Sequence, residues 1–157
     1  MSAPNPYAPP QASLKDAPPA AGSALKAVTL GLLADIGGTV AASIVLMVIY
    51  GIVLGASGAS VEEISAADLT STDSWLFYVG GAIGLAFSVL GGYVCARIAK
   101  RNEMRRGPET ATISAVIGLF LAADQYQLGT NLSMTLAAIV AVMTGARLGY
   151  AQNRGTK

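Results

Sequence analysis

The sequence predicts an all-α protein, a four-helix transmembrane bundle preceded by a disordered, proline-rich N-terminal tail. Apolar residues make up 53% of the 157 residues and charged residues only 12%, whereas a soluble domain carries about 25% charged residues. The mean hydropathy is +0.54, and the apolar residues gather in four stretches between polar loops. We therefore expect lipid to surround most of the chain.

The N-terminal tail, residues 1–24, holds six of the seven prolines and no apolar run. Such a composition cannot bury enough apolar surface to offset the entropy of ordering, so we expect a disordered cytoplasmic tail. Pro6 and Pro9 have the spacing of a polyproline recognition motif, but a flexible tail is favoured. A cleaved secretory signal needs a basic start, a short apolar run and a small-residue cleavage site, and residues 1–24 lack this pattern. The first apolar stretch is therefore interpreted as a retained signal anchor at the start of a membrane domain of residues 25–157.

Four stretches are predicted to cross the bilayer, whose apolar core needs about 20 helical residues. Trp75 opens the second span as an interfacial aromatic residue, and Pro108 opens the third, where a first helical turn tolerates proline. The third span is the shortest. Between the first two, Ser60 and Glu63 have capping-box spacing, which predicts the start of a short surface helix. The predicted spans are residues 27–55, 75–96, 108–123 and 132–150.

The charged residues orient these spans, because cytoplasmic loops of membrane proteins are enriched in Lys and Arg. Residues 56–73 and 124–131 together hold five acidic residues and no basic residue. With both termini in the cytoplasm, all ten basic residues fall on or at the cytoplasmic side. This pattern supports the third span, since without it Arg154 and Lys157 would lie outside.

A basic cluster follows the second span and is interpreted first as a topology signal. The alternative is binding of anionic lipid headgroups, to which each basic residue contributes about 1 kcal/mol. Nucleic acid is not expected as a partner, because no aromatic residues interleave with the charges. The cluster consists of Arg97, Lys100, Arg101, Arg105 and Arg106.

Small residues recur every four positions along the second and fourth spans, which places them on one helix face. In lipid, such residues allow close helix contact. Packing within one chain is favoured, and homo-oligomerisation through the same faces is the alternative. The candidate packing residues are Gly80, Gly84, Ser88, Gly92, Gly145 and Gly149.

Asp35 is the only ionisable residue in the first span, nine residues after Lys26 and so about 13 Å into the apolar layer. A charge there costs about 2.5–3.5 kcal/mol on insertion scales, and we expect it to pair with Arg147 near the cytoplasmic surface. Thr39 and Ser43 continue the same helix face. This polar stripe is favoured as interhelical hydrogen bonding, with an ion or proton path as the alternative.

The sequence offers little for catalysis. It has no histidine, and the single Cys95 excludes an internal disulfide. A Ser-His or Cys-His nucleophile pair is therefore absent, and no metal-ligand, phosphate-loop or dinucleotide motif occurs. We expect a non-enzymatic protein without cofactor or metal.

Two short stretches carry a resemblance. Residues 5–10 (NPYAPP) and 91–99 (GGYVCARIA) resemble patterns in small, uncharacterised four-helix bacterial inner-membrane proteins. The resemblance implies a bacterial inner-membrane location and brings no activity. The leading expectation is a polytopic protein that acts through helix association, with the bilayer and a homo-oligomer or another membrane protein as partners. The alternative is a small transporter or channel that uses the Asp35 stripe.

Overall fold

The computed structural model describes residues 23–66, 74–99 and 103–155. The described residues are helical with no strand, which confirms the all-α prediction. The predicted tail, apart from its last two residues, and Lys100 and Arg101 of the basic cluster lie outside the described residues. The elements are α1 (Ala24–Leu32), a π-helical turn (Leu33–Gly37), α2 (Gly38–Ala56), α3 (Val61–Ala66), α4 (Trp75–Ala99), α5 (Glu103–Leu121) and α6 (Leu128–Gly155).

Three helices among the described residues are long and apolar enough to cross a membrane. They are the continuous helix Ala24–Ala56, formed by α1, the π-helical turn and α2, together with α4 and α6. Helix α5 has 19 residues but carries charged side chains in its first turns. Its uncharged part, residues 110–121, is about 18 Å long, short of the roughly 30 Å apolar core. The predicted third span, residues 108–123, therefore stays a proposal.

Local sequence accounts for the helix ends on either side of the first long helix. The Ser23 hydroxyl accepts a hydrogen bond from the Lys26 backbone N–H and caps α1. Gly58 follows α2 with a positive φ of 89°, which glycine adopts without steric cost. The predicted capping box is confirmed: the Ser60 N–H donates to Glu63 Oε2, and the Glu63 N–H donates to Ser60 Oγ. Helix α3 begins at this box.

Helices α1 and α4 pack closely against each other. Ala27, Cys95 and Ala99 form a buried cluster with exposures of 0–4%. A Cβ added to Gly91 would lie 2.7 Å from the Gly31 carbonyl oxygen, so glycine is required for this approach. Small side chains thus bring the two backbones close together, as expected for helices that associate within lipid.

Helices α4 and α6 cross at an equally close contact. A Cβ on Gly92 would lie 2.0 Å from the Val142 carbonyl oxygen, and one on Gly145 would lie 1.9 Å from the Val89 carbonyl oxygen. The glycines therefore permit direct backbone contact inside the chain. Gly80 differs, because the nearest atom to its added Cβ, on Leu46, is at an ordinary 3.9 Å.

Helix α2 leaves the packed bundle. None of its residues is buried, whereas α1 buries Ala27 and Gly31. Much of its surface is aliphatic and exposed, including Val45 at 57% and Val48 at 55%. Such a surface suits contact with lipid chains. The divergence of α2 leaves a cavity between it and the other helices.

Candidate functional site

Asp35 lies on the π-helical turn that joins α1 to α2. Such turns insert one extra residue, disturb the regular hydrogen-bond ladder and occur often at functional sites. The Thr39 hydroxyl donates to the Asp35 carbonyl oxygen at 2.7 Å. The Asp35 side chain is only 3% exposed. The turn thus presents a buried carboxylate to the neighbouring helices.

Two serine hydroxyls from different helices bind this carboxylate. Ser88 on α4 donates to Oδ1 at 2.7 Å, and Ser114 on α5 donates to Oδ2 at 2.5 Å. Ser88, predicted as a packing residue, therefore also has a polar role, and Ser114 enters the site as a residue that the sequence prediction missed. The site ties the first long helix to α4 and α5.

The expected ion pair between Asp35 and Arg147 is wrong. The described ion pairs both involve Glu109, with Arg105 and with Arg106. Arg147 is exposed on α6, because the neighbouring small residues Gly145 and Ala146 occupy the helix face that packs on α4. Within the described structure, hydroxyl groups alone bind the carboxylate, and no basic side chain neutralises it.

A cavity of about 550 Å³ opens beside Asp35 and is lined by all the long helices. This volume is in the usual range of small-molecule pockets, about 300–1,000 Å³. Asp35, Thr39 and Ser43 all line the cavity. The predicted polar stripe therefore faces an open space and not only packed side chains. Other polar lining residues are Tyr50, Ser88, Ser114, Gln125, Tyr126, Asn131 and Thr135.

The cavity has a packed end and an open end. From Asp35 to Tyr50, both in its wall, the helix rises about 22 Å. On the side of Asp35 away from Tyr50, the bundle is filled by the Gly31 contact and by Cys95, whose sulfur lies 3.1 Å from Thr110 Oγ1. Asp35 therefore lies at the inner end of the cavity, where the packed half of the bundle begins.

Asn131 is another cavity residue whose role the sequence prediction missed. Helix α6 begins three residues earlier, at Leu128, so Asn131 lies inside the helix. Its side chain is 6% exposed and lines the cavity. The sequence signal that could have identified Asn131 is its position one helical turn before Thr135, at the start of an apolar stretch.

The described part of the basic cluster is partly engaged with other side chains. Arg106 and Arg105 both approach Glu109, and Arg97 donates to Asn153 Oδ1 at 3.0 Å. Arg105 is 81% exposed, and exposed ion pairs contribute little to stability. The anionic-lipid role of this cluster stays a prediction.

Comparison with known proteins gives no match to a family model, to a characterised protein or to a solved structure. Among the described residues, no group of three His, Cys, Asp or Glu side chains could hold a metal ion. The cavity and the carboxylate at its inner end are therefore the features of the described structure that bear on function.

Proposed function

We propose that the chain is a small transporter of the bacterial inner membrane, with four spans and both termini in the cytoplasm, that binds its substrate in the cavity beside Asp35. One observation carries the proposal. A carboxylate that is 3% exposed, with hydroxyl partners and no basic one in the described structure, lies at the inner end of a 550 Å³ cavity. Ionisable groups inside membrane helices commonly mark substrate or ion pathways.

The four-span topology draws its support from charge and packing together. Helix α5 contributes Ser114 to the carboxylate and several residues to the cavity wall, so it belongs to the same bundle as α4 and α6. If α5 crosses, the acidic segments 56–73 and 124–131 share one side of the membrane and the basic segments share the other. The positive-inside rule then places the open end of the cavity on the periplasmic side.

The geometry favours substrate binding over helix association as the role of the polar and small residues. Gly92 and Gly145 already face backbone atoms of the same chain, so this glycine face is not available to a second copy. The exposed aliphatic face of α2 needs no protein partner, because lipid chains are equally apolar. Association of chains through that aliphatic face is the second candidate function. The described residues of the face offer no polar group that would fix how two chains pair.

The unequal halves of the bundle fit a carrier that opens to one side at a time. The half around Gly31 and Cys95 is closed by packing, while the half around Ser43 and Tyr50 is open. The π-helical turn and the pair Gly37-Gly38 lie at the boundary, where the helix is least regular and can act as a hinge. Movement of α2 about this point would alter access to Asp35.

Cysteine accessibility tests this proposal. In a Cys95→Ala background, Ser43→Cys places a thiol on the cavity wall, and Val48→Cys places one on the same helix away from the cavity. Because thiol reagents react with the hydrated thiolate, a membrane-impermeant methanethiosulfonate should label Ser43→Cys at least tenfold faster than Val48→Cys. Labelling should come from the side that also labels Asp124→Cys, and not from the side that labels Arg154→Cys.

Two outcomes would contradict the proposal. Equal rates at positions 43 and 48 would mean that water does not enter the cavity. Labelling of Asp124→Cys and Arg154→Cys from the same side would contradict the topology. Labelling of native Cys95 tests carrier movement separately. Cys95 should react slowly from the cytoplasmic side, because the packed half must open for the reagent to reach it. A complete absence of reaction would mean that the packed half does not open.

A further inference from the structure

We infer that the cavity takes a small organic cation with an apolar body, such as a quaternary ammonium compound, and that the cationic group lies against Asp35. The inference rests on the proposed binding function and adds the chemical class of the substrate. It is carried by three independent features: the charge of the inner end, the charge of the open end, and the character of the wall between them.

At the inner end, the carboxylate has donors but no counter-charge from the described chain. Ser88 and Ser114 donate one hydrogen bond to each carboxylate oxygen, which leaves further lone pairs on both oxygens. Hydroxyl groups are neutral, so they orient the carboxylate without balancing its charge. A carboxylate in an apolar layer is costly unless a cation or a proton neutralises it. A cationic ligand supplies that missing charge.

At the open end, the flanking segments carry only negative charge. In the described structure, residues 56–66 hold Glu62 and Glu63 and residues 124–131 hold Asp124, with no Lys or Arg in either segment. Glu62, Glu63 and Asp124 are exposed in the described structure. A surface of one sign beside an opening raises the local concentration of oppositely charged solutes. The entrance therefore favours cations over anions.

Between the two ends, the wall is largely apolar and suits a carbon-rich ligand. Leu46, Met47, Phe77 and Met134 contribute aliphatic, thioether and aromatic surface. Methionine side chains adapt to varied shapes, and aromatic rings attract cations as they pass. A bare metal ion fits less well, because Ca²⁺ binds six to eight oxygens and the wall near Asp35 offers mainly the carboxylate and hydroxyls.

Binding of three isosteric probes tests the charge requirement. Phenyltrimethylammonium is a cation, tert-butylbenzene has the same shape without charge, and benzenesulfonate is an anion of similar size. The full chain is placed in phosphatidylcholine nanodiscs, and radiolabelled phenyltrimethylammonium is measured by scintillation proximity. We expect saturable binding of the labelled cation. Unlabelled phenyltrimethylammonium should displace it, tert-butylbenzene should displace it at least tenfold less well, and benzenesulfonate should not displace it.

Variants locate the binding site. Asp35→Asn keeps an acceptor for the serine hydroxyls but removes the charge, and should weaken phenyltrimethylammonium binding at least tenfold. Glu109→Gln removes one charge that lies neither in the cavity wall nor in the acidic segments, and should change it less than twofold. Ser43→Trp fills the cavity and should abolish binding, while Val48→Trp on the lipid-facing side should not. These paired variants keep the test valid if Asp35→Asn folds poorly.

The outcomes separate this inference from the proposed function. If labelled tert-butylbenzene binds saturably and Ser43→Trp blocks it, while the cation binds no better, the cavity is a binding site and the cation assignment is wrong. If neither probe binds saturably, both the assignment and the proposed binding function fail. If the cation binds equally well to Asp35→Asn and wild type, Asp35 is not its partner and the inference is overturned.

Discussion

The close crossing of α4 and α6 gives a sharp prediction about stability. Substitution of Gly92 by alanine places a Cβ 2.0 Å from the Val142 carbonyl oxygen, whereas carbon and oxygen atoms across such helix contacts lie about 3.3–3.6 Å apart. Both atoms at the clash belong to, or are fixed by, the backbone. A rotamer change cannot relieve it, so the two helices must separate by more than about 1 Å.

The cost follows from the contacts that this separation weakens. At optimal separation, one pair of atoms attracts by about 0.1–0.2 kcal/mol. A gap of about 0.5–1 Å removes roughly a quarter to a half of that attraction. For roughly 40 pairs at the crossing, comparable to one buried leucine, the loss is about 2 kcal/mol. The better helix propensity of alanine offsets up to about 1 kcal/mol of this. We expect Gly92→Ala to destabilise the bundle by about 1–2 kcal/mol, within the range of overpacking substitutions.

Unfolding by sodium dodecyl sulfate in mixed micelles measures this difference. Helicity by circular dichroism and fluorescence of Trp75, the single tryptophan, report the transition. Gly80→Ala is the matched control on the same helix, because its added Cβ meets only Leu46 Cδ2 at 3.9 Å, and it should be neutral or slightly stabilising. Equal midpoints for the two variants would refute the close backbone crossing.

Two further predictions concern the site and its packed neighbour. Ser114→Ala removes one donor to the Asp35 carboxylate and should destabilise the bundle by about 1 kcal/mol in the same assay. Ser133→Ala is the control and should change the stability little, because the exposed Ser133 hydroxyl bonds only within its own helix. Equal effects of the two variants would contradict the Asp35 contact. Cys95 is fully buried, so in native micelles it should react with maleimide at least tenfold more slowly than Asp124→Cys in a Cys95→Ala background. The two rates should converge in denaturing detergent. Rapid labelling of Cys95 in native micelles would contradict close packing of the helices around it.

The elements that depend on local rules were predictable from the sequence. Three of the four predicted spans correspond to helices long and apolar enough to cross a membrane, because that signal is a sum over about 20 residues. The capping box at Ser60 follows from two side chains three residues apart. Helix α5 was harder to assign, since its early turns mix Arg105, Arg106 and Glu109 with a short apolar run.

The partners of Asp35 were not predictable in the same way. The expected pair with Arg147 came from matching depth in the bilayer, which ignores the direction in which each side chain points. That direction depends on which face of α6 holds the small residues, here Gly145 and its neighbours, and on how α4 crosses it. A serine in an apolar helix is ambiguous by itself, because its hydroxyl can also bond to its own backbone. Only the packed structure brings Ser88 and Ser114 to one carboxylate.

These contacts give the carboxylate two separable roles. The hydrogen bonds from Ser88 and Ser114 hold the first long helix against α4 and α5, and this role needs an acceptor but no charge. Attraction of a cationic ligand needs the charge itself. Asparagine at position 35 keeps one carbonyl acceptor for a serine, so it should retain most of the stability while losing the binding. Loss of both in equal measure would mean that Asp35 only holds the helices together.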